Sequence, residues 1–108
     1  MNSFEVPDHI QGDRKVFYIF ARNGNEDLGS LFGKTIKNSA FVEMLNVGLN
    51  ERGNGIGSAL LNRFVQEAKE NGARDIRATI GSLDIPKLEE FYRKNNFEID
   101  DEYATMRL

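Results

Sequence analysis

The chain has no cysteine and no tryptophan, a single histidine (His9) and only two prolines. The lack of cysteine excludes disulfides, a catalytic thiol and thiolate-held metal, and one imidazole is too few for a histidine-built metal site. No apolar run reaches the roughly 20 residues that a membrane-spanning helix needs. The opening MNSFEVPDHI also lacks the basic-then-apolar layout of a secretory leader. The expectation is therefore a cytoplasmic protein with no membrane partner. Positive charge is not in excess either: a net charge of −3 argues against direct nucleic-acid binding and mildly favours a cationic partner.

What remains is an ordinary composition, 40% apolar and 29% charged over 108 residues. That is enough for one modest core and too little for two, so residues 1–108 are read as a single domain. Lys15 to Ala21, KVFYIFA, is β-branched and aromatic and predicts a strand. Asn23-Gly24 then gives the strongest hairpin signal in the chain, and Leu28 to Ile36 reads as the return strand, with Gly29 and Gly33 weakening it or marking bulges. In Ala40 to Val47, Phe41, Leu45 and Val47 alternate one way and Val42 and Met44 the other, which predicts a central strand covered on both faces. Ile56, Ala59, Leu60, Phe64 and Ala68 recur at helical spacing until Asn71-Gly72. A strand at 76–80, a helix capped by Asp84 and ended by Asn95-Asn96, and a pair of strands at 97–99 and 104–108 complete the pattern. His9, in the segment before the first strong strand, reads as solvated surface in a mobile terminus.

The stretch joining the third strand to the first helix carries the most chemistry. Gly53, Gly55 and Gly57 sit at that junction. Glycines there let backbone N–H groups approach a phosphate at the positive end of a helix dipole. A phosphate-loop NTPase would need Gly-Lys-Ser/Thr at the end of the loop, and Gly57 is followed by Ser58 and Ala59. A dinucleotide fold would need an acid closing the next strand, and Asp75 lies before that strand. The alternative is that the glycines merely allow a tight turn.

Arg52-Gly53-Asn54-Gly55-Ile56-Gly57 matches a third pattern, Gln/Arg-x-x-Gly-x-Gly/Ala. Downstream, Pro86 to Phe97 (PKLEEFYRKNNF) is similar to a helix ending in Phe-Tyr-x-x-x-Gly-Phe. In this order and at this separation the two motifs resemble the GCN5-related N-acetyltransferases (GNAT), over Lys15 to Leu108. The resemblance implies an α/β fold, a mixed and mostly antiparallel sheet with two helices, as a truncated acyl-CoA N-acyltransferase fold. It implies acetyl-CoA as the donor, a primary amine (a protein lysine or another cationic amine) as the acceptor, and no metal. It places the pyrophosphate on Arg52, Gly53, Asn54, Gly55, Ile56, Gly57 and Ser58. The pantetheine arm would run along Leu45, Asn46 and Val47, with the Val47 amide meeting the thioester oxygen. Tyr92 takes the position of the family's proton donor to the coenzyme sulfur; alone, it would read as the aromatic end of a helix stripe. Glu43, inside an otherwise apolar strand, takes the place of a glutamate that serves as base, the alternative being an edge carboxylate paired with a lysine or arginine.

Two departures stand out. Asn96 replaces the usual glycine before the last phenylalanine, a mild change because asparagine tolerates the left-handed conformation. The family also opens with a strand and two helices that wall the acceptor site, and the residues before Lys15 suffice for a short strand and hardly for two helices. An open acceptor site, or one completed by a second chain in a homodimer, is expected. The rival reading is a non-catalytic coenzyme-A-binding module, or a subunit that completes a partner's site.

Overall fold

The computed structural model describes residues 2–5, 8–11, 14–47, 55–80, 85–100 and 103–108, with side chains from Arg14 onward and, in the second helix, from Leu88. The strands are β1 (Asn2–Glu5), β2 (Asp8–Gln11), β3 (Arg14–Asn23), β4 (Glu26–Ile36), β5 (Ser39–Val47), β6 (Asp75–Thr79), β7 (Glu98–Asp100) and β8 (Tyr103–Arg107). The helices are α1 (Ile56–Glu70) and α2 (Ile85–Lys94). One sheet holds all the described strands in the order β1-β3-β4-β5-β6-β8-β7, with β2 pairing β3 beside β1. Its pairs are antiparallel except β5 with β6, which α1 connects, as a parallel pair requires.

The N-terminal segment departs from expectation. It is not a mobile tail: β1 and β2 both pair with β3, and His9 is in register with Val16. The strongly β-forming β3 offers a free edge, and the short strands cover it.

The core lies on one face of the sheet. Phe17, Ile19, Leu31, Leu60, Leu61, Phe64 and Ile76 are its largest fully buried side chains. The apolar stripe of α1 read from the sequence lies against β3, β4 and β5, with Ile56, Leu60, Leu61, Phe64 and Ala68 buried. Gly33 makes that approach close: a Cβ there would stand 2.6 Å from two atoms of the Phe64 ring. Thus Gly33 does not simply weaken the strand; its missing side chain is where α1 seats its largest residue. α2 lies beside α1 on the same face, since Phe91 packs against Gly57 and Tyr92 joins the same buried cluster.

The prediction for β5 needs correction. Its register against β4 shifts between Phe32↔Met44 and Gly33↔Val42, leaving Glu43 as the extra residue of a bulge. A bulge reverses which residues face the core beyond it. Ala40 and Val42 are buried before it, and Leu45 and Val47 pack on the core after it. Met44, expected to be covered, is 55% exposed. β5 is central in the sheet, but its second face carries no helix among the described residues. That face holds Tyr18 stacked on Phe32 at 4.6 Å, with Phe41 and Met44 beside them. The molecule is only 20 Å through its thinnest axis, the depth of one sheet and one helical layer.

Candidate active site at the splayed strands

β5 and β6 pair only from Ser39↔Asp75 to Val42↔Ala78. β6 ends at Thr79, while β5 runs on to Val47 with no β6 partner for Glu43 to Val47. Among the described residues the splay leaves one backbone edge of β5 without a strand partner beside the start of α1. An edge of unpaired N–H and C=O groups in a sheet is a template for an extended ligand bearing amides. Leu45, Asn46 and Val47, the residues expected to meet the pantetheine arm, all lie on this unpaired stretch.

The helix that begins there, α1, starts behind a glycine. Gly55 precedes α1 with φ +79°, in the left-handed region, and no side chain among the described residues caps the first turn. A Cβ on Gly55 would meet nothing within 4 Å, so the backbone angle and not space calls for glycine here. Among the described residues the first N–H groups of α1 thus have no side-chain acceptor. Gly57 answers to space instead, because its Cβ would lie 3.2 Å from Cε1 of Phe91 and 3.5 Å from Cγ2 of Val47. Those two contacts bring the end of β5, the start of α1 and the last turns of α2 together. Of the loop residues read from the sequence, Gly55, Ile56, Gly57 and Ser58 stand at this junction, and Arg52, Gly53 and Asn54 lie outside the described residues.

Asn95 was read only as a helix stop, yet it ties the junction. Its Nδ2 donates to Oγ of Ser58 at 3.1 Å and to the Phe91 carbonyl at 2.9 Å. The next residue, Asn96, adopts φ +70°, which bears out its reading as a substitute for glycine. The amide of Phe97 then returns to the Tyr92 carbonyl at 3.0 Å.

Tyr92 is 3% exposed. Its ring packs 5.3 Å from Phe91 and 5.3 Å from Phe97. Burial pushes its phenol up to about 12 from the ordinary 10, because a phenolate there would lose its hydration. The folded protein therefore holds this proton more tightly than the unfolded chain. The resulting stability is fully present below pH 10 and is lost as pH rises from about 10 to 12, amounting to about 2–3 kcal/mol. Urea unfolding of the native chain and of Tyr92→Phe at pH 9 and pH 12 checks this. The native chain should lose that much more stability than the variant, and equal losses would refute the assignment.

Glu43 points to the open face, where it forms an ion pair with Lys34. Its side chain is 37% exposed and that of Lys34 21%. The Lys34 ammonium also lies 5.8 Å from the centre of the Phe41 ring. Sequence reasoning left Glu43's cationic partner unnamed, because the β4–β5 register decides it: Lys34 lies opposite Phe41, and Glu43 stands two residues further along the same face. Along the same face, an open depression of about 760 Å³ has Asp75, Glu98 and Asp100 in its lining, with Arg77 and Arg107 opposing them. Its Tyr103 is in register with Thr79, the last residue of β6, so the depression adjoins the splay. Among the described residues no cluster of His, Asp and Glu could hold a metal ion, and no helix is long and apolar enough to cross a membrane.

A parallel pair that opens into a V beside the start of a helix, in a mixed sheet, matches the acyl-CoA acyltransferase fold that the two motifs imply. The sequence profile of the acetyltransferase (GNAT) domain matches residues 13–99, and the chain belongs to that family of acetyl-CoA-dependent acetyltransferases. No curated protein matches the sequence. Among solved structures it is similar to an acetyltransferase from Bacillus cereus, with 24% identity, TM-score 0.77, and 88% of this chain aligned to 74% of the other. It is also similar to the PaiA N-acetyltransferase of Thermoplasma acidophilum in complex with coenzyme A, with 20% identity, TM-score 0.78, and 86% aligned to 61%. An acetyltransferase from Thermus thermophilus gives 22% identity, TM-score 0.74, and 92% aligned to 67%. At these identities the likeness is one of fold, and this chain spans about three fifths of the length of PaiA.

Proposed function

We propose that the chain transfers an acetyl group from acetyl-CoA to a primary amine, a protein lysine or another cationic amine, presented on the open face of the sheet. The observation that carries this reading is the edge of β5 beyond Val42, which has no β6 partner, lying beside the start of α1, where Val47 approaches Gly57. The pantetheine amides would pair with Leu45, Asn46 and Val47, and the pyrophosphate would rest on the N–H groups of Gly55 to Ser58, with Arg52, Gly53 and Asn54 completing the loop. A backbone amide of β5, with Val47 as first choice, would polarise the thioester oxygen. Such a donor is fixed before reaction and needs no reorganisation. Glu43 would take the proton of the incoming ammonium. The carboxylate of Asp100, level with Tyr103 and Thr79 at the splay, suits a cationic acceptor, and a face that carries no helix among the described residues suits an extended one.

The Tyr92 phenol would support the leaving sulfur. A thiol ionises near 8.5, well below a phenol held at about 12, so full proton transfer to the thiolate runs uphill. The role that fits is a hydrogen bond to the developing thiolate, with solvent completing the protonation. We place the enzyme in the cytoplasm, whose reducing conditions a cysteine-free chain suits, and favour a homodimer through the bare face.

A second reading has support of its own. Glu43 is already ion-paired and Tyr92 is deeply buried, as in a module that binds coenzyme A without turning it over. Thermal unfolding with acetyl-CoA, coenzyme A and ATP comes first. Acetyl-CoA at about 100 times its dissociation constant should add roughly 2.7 kcal/mol of stability, coenzyme A should act similarly, and ATP should not. Coenzyme A release with a panel of lysine peptides and polyamines then separates enzyme from module. Stabilisation with no turnover would favour the module, and no stabilisation would remove the donor site altogether.

A further inference from the structure

The pairing of Lys34 with Glu43 points beyond a passive surface ion pair. Lys34 is in register with Phe41 on the neighbouring strand. Its ammonium nevertheless reaches Glu43, two residues further along β5. The side chain must therefore lean along the open face, toward the end where β5 parts from β6. Glu43 to Leu45 is two residues, roughly 7 Å of strand, so the ammonium is held a short reach from the stretch assigned to the donor. There it already has what an acceptor ammonium would find, a carboxylate and the Phe41 ring 5.8 Å away.

We infer that Lys34 is an internal acceptor, acetylated by the chain's own donor site. The inference rests on the proposed placement of acetyl-CoA along Leu45 to Val47 and of Glu43 as base. Glu43 takes one proton from the Lys34 ammonium, and the neutral amine attacks the thioester carbonyl carbon. The N–C bond forms and the C–S bond breaks, with the electron pair leaving on the coenzyme sulfur. The second amine proton neutralises that thiolate, and Glu43 returns its proton to solvent. The products are Nε-acetyl-Lys34 and free coenzyme A.

Selectivity makes the inference testable. Lys37, Lys69 and Lys94 are all exposed, whereas Lys34 is 21% exposed and ion-paired. Spontaneous acetylation by acetyl-CoA favours the exposed amines. The full chain is incubated with acetyl-CoA and its lysines followed by peptide mass spectrometry over time, at several protein concentrations. Lys34 should be modified at least tenfold faster than Lys37, Lys69 or Lys94, at a first-order rate independent of protein concentration. Glu43→Gln should slow Lys34 at least tenfold and leave the three reference lysines unchanged. Lys34→Arg, which keeps a cation for Glu43, should still be stabilised by acetyl-CoA and carry no fast-forming adduct. A Lys34 rate no greater than that of Lys37 overturns the inference, as does a rate that rises with protein concentration. The acetyl-CoA thermal shift, read on the same samples, separates the failures: a stabilised protein with unmodified Lys34 removes only this inference, and an unstabilised one removes the donor reading as well.

Discussion

Tyr92→Phe is expected to lower kcat for acetyl transfer about 100-fold, with the KM for acetyl-CoA changed less than threefold and stability at pH 7 changed by no more than about 1 kcal/mol. The phenylalanine ring keeps the contacts with Phe91 and Phe97, so the core is conserved and only the hydroxyl is lost. Removing a group that acts only on the leaving sulfur lowers kcat and kcat/KM together, which distinguishes it from a group that binds the donor in its ground state. The acid-base signature follows from its burial. A phenol at about 12 stays protonated across the working range, so the native pH–rate profile should show no alkaline break from Tyr92 below about pH 11. Steady-state kinetics with the best acceptor from the screen decides the matter. A change in kcat below threefold would reduce Tyr92 to a core residue.

The largest stability effect is expected at Gly33. A Cβ there would lie 2.6 Å from Cε1 and Cζ of Phe64 and 2.8 Å from the Phe41 carbonyl oxygen. Neither neighbour yields easily. Phe64 is fully buried and meets Phe17 edge-on at 5.9 Å, and the carbonyl belongs to β5 just before its bulge. Gly33→Ala should therefore cost about 3 kcal/mol, the upper part of the range for overpacking. It would be read as a lower urea midpoint with an unchanged denaturant slope. Gly24→Ala is the contrast: φ is +62° but nothing lies within 4 Å, so only backbone strain of about 1 kcal/mol is expected. Equal losses at the two sites would mean that α1 and β4 separate readily and that the close approach at Gly33 is not a tight constraint.

Much of this was legible in the chain before any fold was known. The glycine loop announced itself because a backbone that must turn left-handed ahead of a helix leaves few residue choices, and Gly55 does have φ +79°. Asn96 was readable in the glycine slot for the same reason. The stripe of α1 followed from helical periodicity, and composition excluded thiol chemistry and cysteine-held metal. These are local properties, set by steric limits on one residue or by repetition along one element.

Other features depended on residues far apart in the chain. Alternation along Phe41 to Val47 could not reveal that β5 carries one residue more than β4 can match, because a bulge is a mismatch between two strands and shows in neither alone. That single extra residue turned Met44 outward, and the register of β4 against β5 put Lys34 within reach of Glu43. The burial that raises the Tyr92 phenol likewise depends on where α2 comes to lie, as does the link from Asn95 to Ser58 across 37 positions. Sequence alone determined the elements from β3 onward and the left-handed glycine turn before α1, because short-range sterics and apolar spacing suffice for both. Which carboxylate is paired, which phenol is buried and which face of the sheet is left bare were decided only by packing, because each depends on what a distant segment brings alongside.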